Sequence, residues 1–248
     1  MISKNTLKFI KSLQQKKFRK QEDAFFVEGA KNVTELLLSD FEVTHLLYTA
    51  KYHEEHSQLI SSCNAASYEV SPKTLESAGS FQTNDAALAV AKLKKNTPFD
   101  IGEGELAIAL DDVRDPGNLG TIIRIADWYG IHKLVLSSQT ADFYNPKVLH
   151  SSMGSFTRVS FFYTDLEAYL PQQALPIYGA FLEGEDIHRS TLVPAGIILM
   201  GNEAKGISPR LEKLVSQKLT IPSFGHAESL NVAIATAVIC DNFRRGGH

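Results

Sequence analysis

Cysteine is scarce: the 248 residues contain two, Cys63 and Cys240, far apart and outside any C-x-x-C pair. That is too few for a disulfide scaffold or a cysteine-rich zinc site, so a reducing compartment is expected. No run of about 18 apolar residues is present to span a bilayer. The opening MISKNTLKFIKSLQQKKFRK also lacks the continuous apolar core of a secretory signal, so a cytosolic protein is expected. H-E-x-x-H is missing too. The nearest string, HEEH at residues 53–56, has the wrong spacing, so His53 and His56 read as solvated and no metal is expected. Without G-x-S-x-G there is no serine nucleophile elbow. GEGELA at residues 102–107 fits G-x-G-x-x-A but precedes a strand instead of following one, which removes the dinucleotide-binding geometry. No internal repeat or low-complexity tract is found.

A net charge of −3 argues against a generally basic nucleic-acid binder, but the average hides an asymmetry. Residues 1–20 hold Lys4, Lys8, Lys11, Lys16, Lys17, Arg19 and Lys20 and no acid, a charge of +7 that leaves −10 for the rest. Such an arm either recruits a phosphate backbone, through Lys16, Lys17, Arg19 and Lys20 above all, or is simply a solvated helix.

What is abundant is alternation of short apolar strands with helices, which predicts an α/β protein. AFFVEG, VTHLLYT and DAALAVAKL read as strands of a small α/β domain over residues 1–92, with a further short strand near 67–70. Helices are expected near 30–38 and 53–61, and another is opened by Ser71 as N-cap and Pro72 at N1. LKKNTPFDIGEG loses apolar periodicity and predicts a linker over 93–104. From 105 to 248, ELAIALD, KLVLS, RVSFFY, PIYGAF, GIILMG and KLTIPS predict a mostly parallel sheet, with ligand sites in loops beyond the carboxyl ends of its strands.

Three loops stand out. DDVRDPGNLGTIIRIADWYG places Asn118 as the expected N-cap of a helix running to Tyr129, with Gly130 as its C′ residue. Arg124, in the early part of that helix, gains nothing from the macrodipole, so it either serves a ligand or pairs with Asp127 or Asp111. IILMGNEAKGIS ends a buried strand at Gly201, presents Glu203, and leads to a helix capped by Ser208 with Pro209 at N1. LTIPSFGHAESLNVAIATAV sets Ser229 and a buried Asn231 at the mouth of a helix so apolar that it must face a core or another subunit.

In order and spacing, D-P-x-N-x-G-x-x-x-R, G-N-E-x-x-G-I-S and I-P-x-x-G-x-x-x-S-L-N-V resemble the SpoU (TrmH) family of RNA ribose 2′-O-methyltransferases in the SPOUT superfamily. FRKQEDAFFVEGAKNV and QTNDAALAV resemble the L30e-like substrate-binding domain that precedes the catalytic domain in many members. The resemblance implies a deep trefoil knot and a homodimer with the active site at its interface. It implies S-adenosylmethionine as cofactor and S-adenosylhomocysteine as product, with the cofactor on Leu199, Met200, Gly201, Ile221, Pro222, Ser229, Leu230 and Asn231. Arg124 would activate the ribose hydroxyl, and Asn118, Glu203 and Asn231 would shape the pocket. RNA is the implied substrate, rRNA at a 23S-type guanosine or uridine ahead of tRNA because the family's tRNA enzymes often lack the N-terminal module. The other reading is a non-catalytic RNA-binding or assembly protein of the same fold. Two departures from the family pattern, Ala204 after the glutamate and Ser223-Phe224 after Ile-Pro, leave the polar set intact.

Overall fold

A computed structural model describes residues 2–245. Its contacts divide into two compact units: residues 1–95 together with 142–157, and residues 96–141 together with 158–248.

The first unit opens with α1 (Lys4–Ser12) and α2 (Lys16–Glu22), followed by β1 (Ala24–Glu28), α3 (Ala30–Leu37), β2 (Val43–Tyr48) and α4 (Ala50–Ser62). β3 (Ala66–Glu69), α5 (Pro72–Ala78) and β4 (Ala87–Lys92) complete its N-terminal part. Ser71 does cap α5, its side chain accepting from the Thr74 amide. The sheet order is β1-β4-β2-β3, and the last strand, β4, runs antiparallel to both neighbours. One face buries Ile10, Leu13, Phe26, Leu47, Leu75 and Val90.

Residues 93–105 carry no regular structure, and the second unit then builds β5 (Leu106–Leu110), α6 (Pro116–Trp128) and β6 (Lys133–Ser137). α7 (Pro146–Ser152) comes next in the chain but lies within the first unit. Its flanking residues enter an aromatic cluster there: Tyr144 lies 4.6 Å from Phe25 between ring centres and Phe156 lies 6.0 Å from Phe25. Back in the second unit come β7 (Ser160–Thr164), α8 (Leu166–Tyr169), β8 (Ile177–Asp186), β9 (Gly196–Met200), α9 (Pro209–Glu212), β10 (Gln217–Thr220) and α10 (Val232–Arg245).

The second sheet has the order β10-β8-β9-β5-β6-β7, and every neighbouring pair is parallel. β5 and β9 are buried along their whole length. This is what LAIAL and GIILM require, since uninterrupted apolar runs suit strands covered on both faces. The chain leaves β5 towards β6 and β7 on one side, while β9, β8 and β10 fill the other. The strand order therefore reverses between β5 and β9, the point where open parallel sheets hold ligands beyond their carboxyl ends.

Candidate active site

The loops after β5 and β9 meet at that reversal. The Asp111 amide continues the β5–β9 ladder by donating to the Met200 carbonyl at 2.9 Å, and the Asp111 carboxylate accepts from the Ser208 amide at 2.7 Å. Asp112 follows with φ 61°, a left-handed conformation uncommon for a residue with a side chain. Both of its main-chain groups are held: its amide donates to Ser137 Oγ at 2.9 Å and its carbonyl accepts from Asn202 Nδ2 at 2.7 Å. Strain of this kind persists where surrounding bonds over-determine it, commonly at ligand sites. Asn202, Asp112 and Ser137 brace the site without having been singled out from sequence, although Asn202 lies inside the GNEAKGIS string.

Asp115, not Asn118, caps α6. The Asp115 side chain accepts from the Asn118 amide at 2.9 Å and Pro116 takes N1, where its missing N–H costs nothing. Asn118, one turn in at N3, is thereby freed from capping. Its Nδ2 donates to Glu203 Oε1 at 3.0 Å, and its Oδ1 accepts from Asn231 Nδ2 at 3.0 Å. The cap of α10 fixes the direction of this chain. Asn231 Oδ1 accepts from the Ala233 amide at 2.9 Å, so only Asn231 Nδ2 is left to donate, and Asn118 must then turn its own amide nitrogen to the carboxylate. Asn231 is exposed and not buried as expected, because its amide works at the helix mouth. Two loops, 85 and 113 residues further along the chain, are thus joined to Asn118 through one side chain each.

Arg124 lies on α6 with Asn118 and is exposed. Among the described residues it makes no hydrogen bond or ion pair. Asp127, which could have taken it, is bound to Arg158 at 2.8 Å, and Asp111 holds the Ser208 amide. The helix starts at Pro116, so Arg124 is past its midpoint and the macrodipole no longer counts against a cation there. Its lack of a partner is the sounder sign of a ligand role.

The remaining expected cofactor residues fall into two groups. Leu199 and Met200 are core residues of β9, 0% and 2% exposed, so their side chains do not reach an open loop. Gly201 is the first residue to emerge. A Cβ placed on it would lie 2.2 Å from the Gly206 carbonyl carbon and the Ile207 nitrogen, so the returning loop needs a glycine there. Residues 221–230 are open: Ser229 and Leu230 are exposed and Ile221 and Pro222 half-buried. Among the described residues, that stretch makes no backbone–backbone hydrogen bond, and of its main-chain groups the Gly225 carbonyl accepts from Ser223 Oγ at 3.4 Å, so most of its backbone is open to a ligand. This free backbone fits a planar heterocycle read by main-chain groups, with Ile221 and Leu230 as apolar flanks.

Of the four N-terminal cations expected to contact RNA, Lys16, Lys17 and Lys20 are exposed and without acid partners among the described residues. Arg19 is not with them. It is 3% exposed, donates from Nη1 to the Leu13 and Gln14 carbonyls at 2.8 and 2.9 Å, and pairs with Asp142 at 2.6 Å. His53 and His56 stand on α4, and no metal-capable group of three His, Cys, Asp or Glu residues is found among the described residues. No described helix is long and apolar enough to cross a membrane.

Residues 105–241 match the model of the SpoU rRNA Methylase family. The chain belongs to that family. Residues 4–89 of this SpoU-family chain also match an MRM3-like substrate binding domain. A 23S rRNA guanosine 2′-O-methyltransferase of Bacillus subtilis is 29% identical to it over 94% of each chain. A TrmH-family protein from Porphyromonas gingivalis has the same fold, with 36% identity, a TM-score of 0.85 and 99% of each chain covered. An AdoMet-bound rRNA methyltransferase from Sinorhizobium meliloti is 29% identical with a TM-score of 0.87, covering 99% of this chain and 96% of that one.

Proposed function

We propose that this protein transfers a methyl group from S-adenosylmethionine to a ribose 2′-hydroxyl of RNA, ribosomal RNA ahead of tRNA. The observation that carries the reading is the Glu203–Asn118–Asn231 chain at the strand-order reversal, with an unpartnered Arg124 on the same helix as Asn118. A protein that only bound RNA would have no need to hold a carboxylate and two amides in one fixed order. Gly201, Ile221, Pro222, Ser229, Leu230 and Asn231 would hold the cofactor, Leu199 and Met200 supporting them from the core. The bound cofactor supplies an electrophilic methyl on a sulfonium centre.

A ribose hydroxyl is a weak acid and a poor nucleophile, so its oxygen has to be aligned and its proton removed. A guanidinium, with a pKa above about 12, is a very poor base but a good clamp. Arg124 binds the hydroxyl oxygen and a neighbouring phosphate, and the proton leaves towards that phosphate or water. Glu203, held by Asn118, orients the ribose or the cofactor. Lys16, Lys17 and Lys20 supply contacts to the RNA backbone, and Arg19 holds up the corner that carries them. The preference for rRNA is supported by the substrate-binding match and by the 23S rRNA relative, and it implies a cytoplasmic location.

The active unit is a homodimer. Trp128 on α6 is 83% exposed and Ile234 on α10 is 53% exposed, while the two helices pack together with Arg244 Nε donating to the Tyr129 carbonyl at 2.7 Å. Sedimentation at micromolar concentration is expected to give twice the chain mass.

The test is transfer of tritiated methyl to unmodified rRNA and tRNA transcripts in parallel, followed by alkaline hydrolysis. Label in an alkali-resistant dinucleotide from rRNA is the expected result. Arg124→Ala should abolish transfer and leave cofactor binding unchanged. Unaltered turnover in that variant would remove Arg124 from the mechanism, and absence of transfer by the wild-type protein would favour the non-catalytic reading.

A further inference from the structure

Arg114 stands in the loop after β5, between the strained Asp112 and the Asp115 cap, and the reading above gives it no task. Its Nε donates to Asp112 Oδ1 at 2.6 Å and its Nη2 to Asp112 Oδ2 at 2.9 Å, a two-pronged fork between residues only two apart. The acceptor is unusually well fixed, because Ser137 and Asn202 hold the main chain of Asp112 on both sides. The Arg114 side chain is 63% exposed, and its third guanidinium nitrogen, Nη1, has no partner among the described residues. The Asp112 carbonyl is held by Asn202, the residue before Glu203, so the turn that carries Arg114 is tied to the loop that carries the Glu203–Asn118–Asn231 chain.

An exposed ion pair of near neighbours adds little to stability. It does fix the direction of a long side chain that would otherwise lose rotamer freedom on binding. The surroundings call for such a cation. Residues 111–128 hold Asp111, Asp112, Asp115 and Asp127 against Arg114 and Arg124 alone, and Glu203 adds a further negative charge. Asp127 is already paired with Arg158, and within residues 111–128 Arg114 and Arg124 are the two cations open to a polyanion. Guanidinium matches phosphate geometry in a way that an ammonium does not.

We propose that Arg114 is a positioning residue that takes, through its free edge, a phosphodiester of the RNA beside the nucleotide held at Arg124. The inference rests on the methyltransferase reading. Asp112 serves as the fork's rest, and Asn202, next in the chain to Glu203, holds the turn that carries it. Arg124 then acts on the target nucleotide and Arg114 on the strand next to it.

The experiment compares wild type, Arg114→Ala and Arg114→Lys in steady-state methylation of a transcript the wild type modifies, with RNA binding measured directly across a salt series. For Arg114→Ala the expected result is a rise of about tenfold in KM for RNA, the size of a lost charge-assisted hydrogen bond. kcat at saturating RNA and affinity for the cofactor stay unchanged. The slope of log affinity against log salt falls by about 0.7 to 0.9, one phosphate contact. Arg114→Lys keeps the slope but recovers only part of the KM. An unchanged KM and slope in Arg114→Ala would overturn the proposal. So would a parallel loss of cofactor affinity, which a residue that merely holds the loop would produce. Wild-type protein without turnover would sink the methyltransferase reading instead, and the salt slope from direct binding would still decide the part played by Arg114.

Discussion

Removing the Arg19 guanidinium should injure stability and leave RNA electrostatics nearly untouched. In Arg19→Met the side chain keeps an unbranched apolar stem, while Asp142 loses its partner and the Leu13 and Gln14 carbonyls lose their donors. Breaking a buried pair by removing one member costs about 3–5 kcal/mol. Asp142 is 20% exposed and is partly resolvated, which lowers the figure to about 2–4 kcal/mol. For a chain of this size that is a fall of roughly 5–15 °C in the unfolding midpoint. Arg19→Lys should rescue little, because an ammonium on a shorter reach cannot serve two carbonyls and a carboxylate with a fixed fork. Circular dichroism melts of Arg19→Met, Asp142→Asn and the double variant supply the cycle, with a coupling of about 1–3 kcal/mol expected. RNA binding by Arg19→Met, measured well below its midpoint, should keep the wild-type salt slope. A midpoint within a degree of wild type, or a salt slope reduced as by loss of an exposed lysine, would refute the assignment of Arg19 as a brace.

Three further outcomes are expected. Replacing Lys16, Lys17 and Lys20 together by alanine should lower the salt slope of RNA binding by about 2 to 3 and leave cofactor affinity intact; an unchanged slope would make this face merely solvated. Gly201→Ala puts a methyl onto the Gly206–Ile207 backbone, which should cost about 1–3 kcal/mol as overpacking and displace the loop bearing Glu203. Calorimetry should then show cofactor affinity down by tenfold or more, and wild-type affinity would show that the loop yields freely. Cys240 is fully buried, and burial pushes its thiol up to about 12, so native protein should release one equivalent of thiolate from Ellman's reagent, through Cys63, and two after denaturation. Two equivalents at the native rate would place Cys240 outside the core.

The strands of the second sheet were legible because burial on both faces writes itself as unbroken apolar runs, as in LAIAL and GIILM. β8 was legible only as far as Phe181; its polar continuation LEGED stays in the sheet through backbone pairing with β10 past a register shift, which side-chain pattern does not record. The cap of α6 was misjudged although its signal was present. Asp115-Pro116 has the same form as Ser71-Pro72, and proline's preference for N1 outweighs the capping tendency of Asn118. The three motif loops could each be marked as chemical from sequence. That Asn118 would bridge Glu203 and Asn231 depends on pairings across 85 and 113 residues, which no local pattern encodes. Arg19 reads as one more cation in a basic run, because the carboxylate that buries it comes 123 residues later.

Residues 142–157, counted with the N-terminal unit, sit in the chain between two adjacent strands of the other unit's sheet. The polypeptide therefore passes from one unit to the other three times, at residues 95, 141 and 157. A single cut near residue 95 does not yield two complete modules: the N-terminal piece loses Tyr144 and Phe156 from its aromatic cluster and Asp142 from Arg19. The C-terminal piece keeps those groups with nothing to cover them. Grafting this substrate-binding unit onto another methyltransferase thus requires transplanting an insertion inside the recipient's catalytic sheet as well as an N-terminal extension. An ancestor that acquired the unit by simple fusion would have had to remodel that internal connection before the N-terminal segment and residues 142–157 could form one unit.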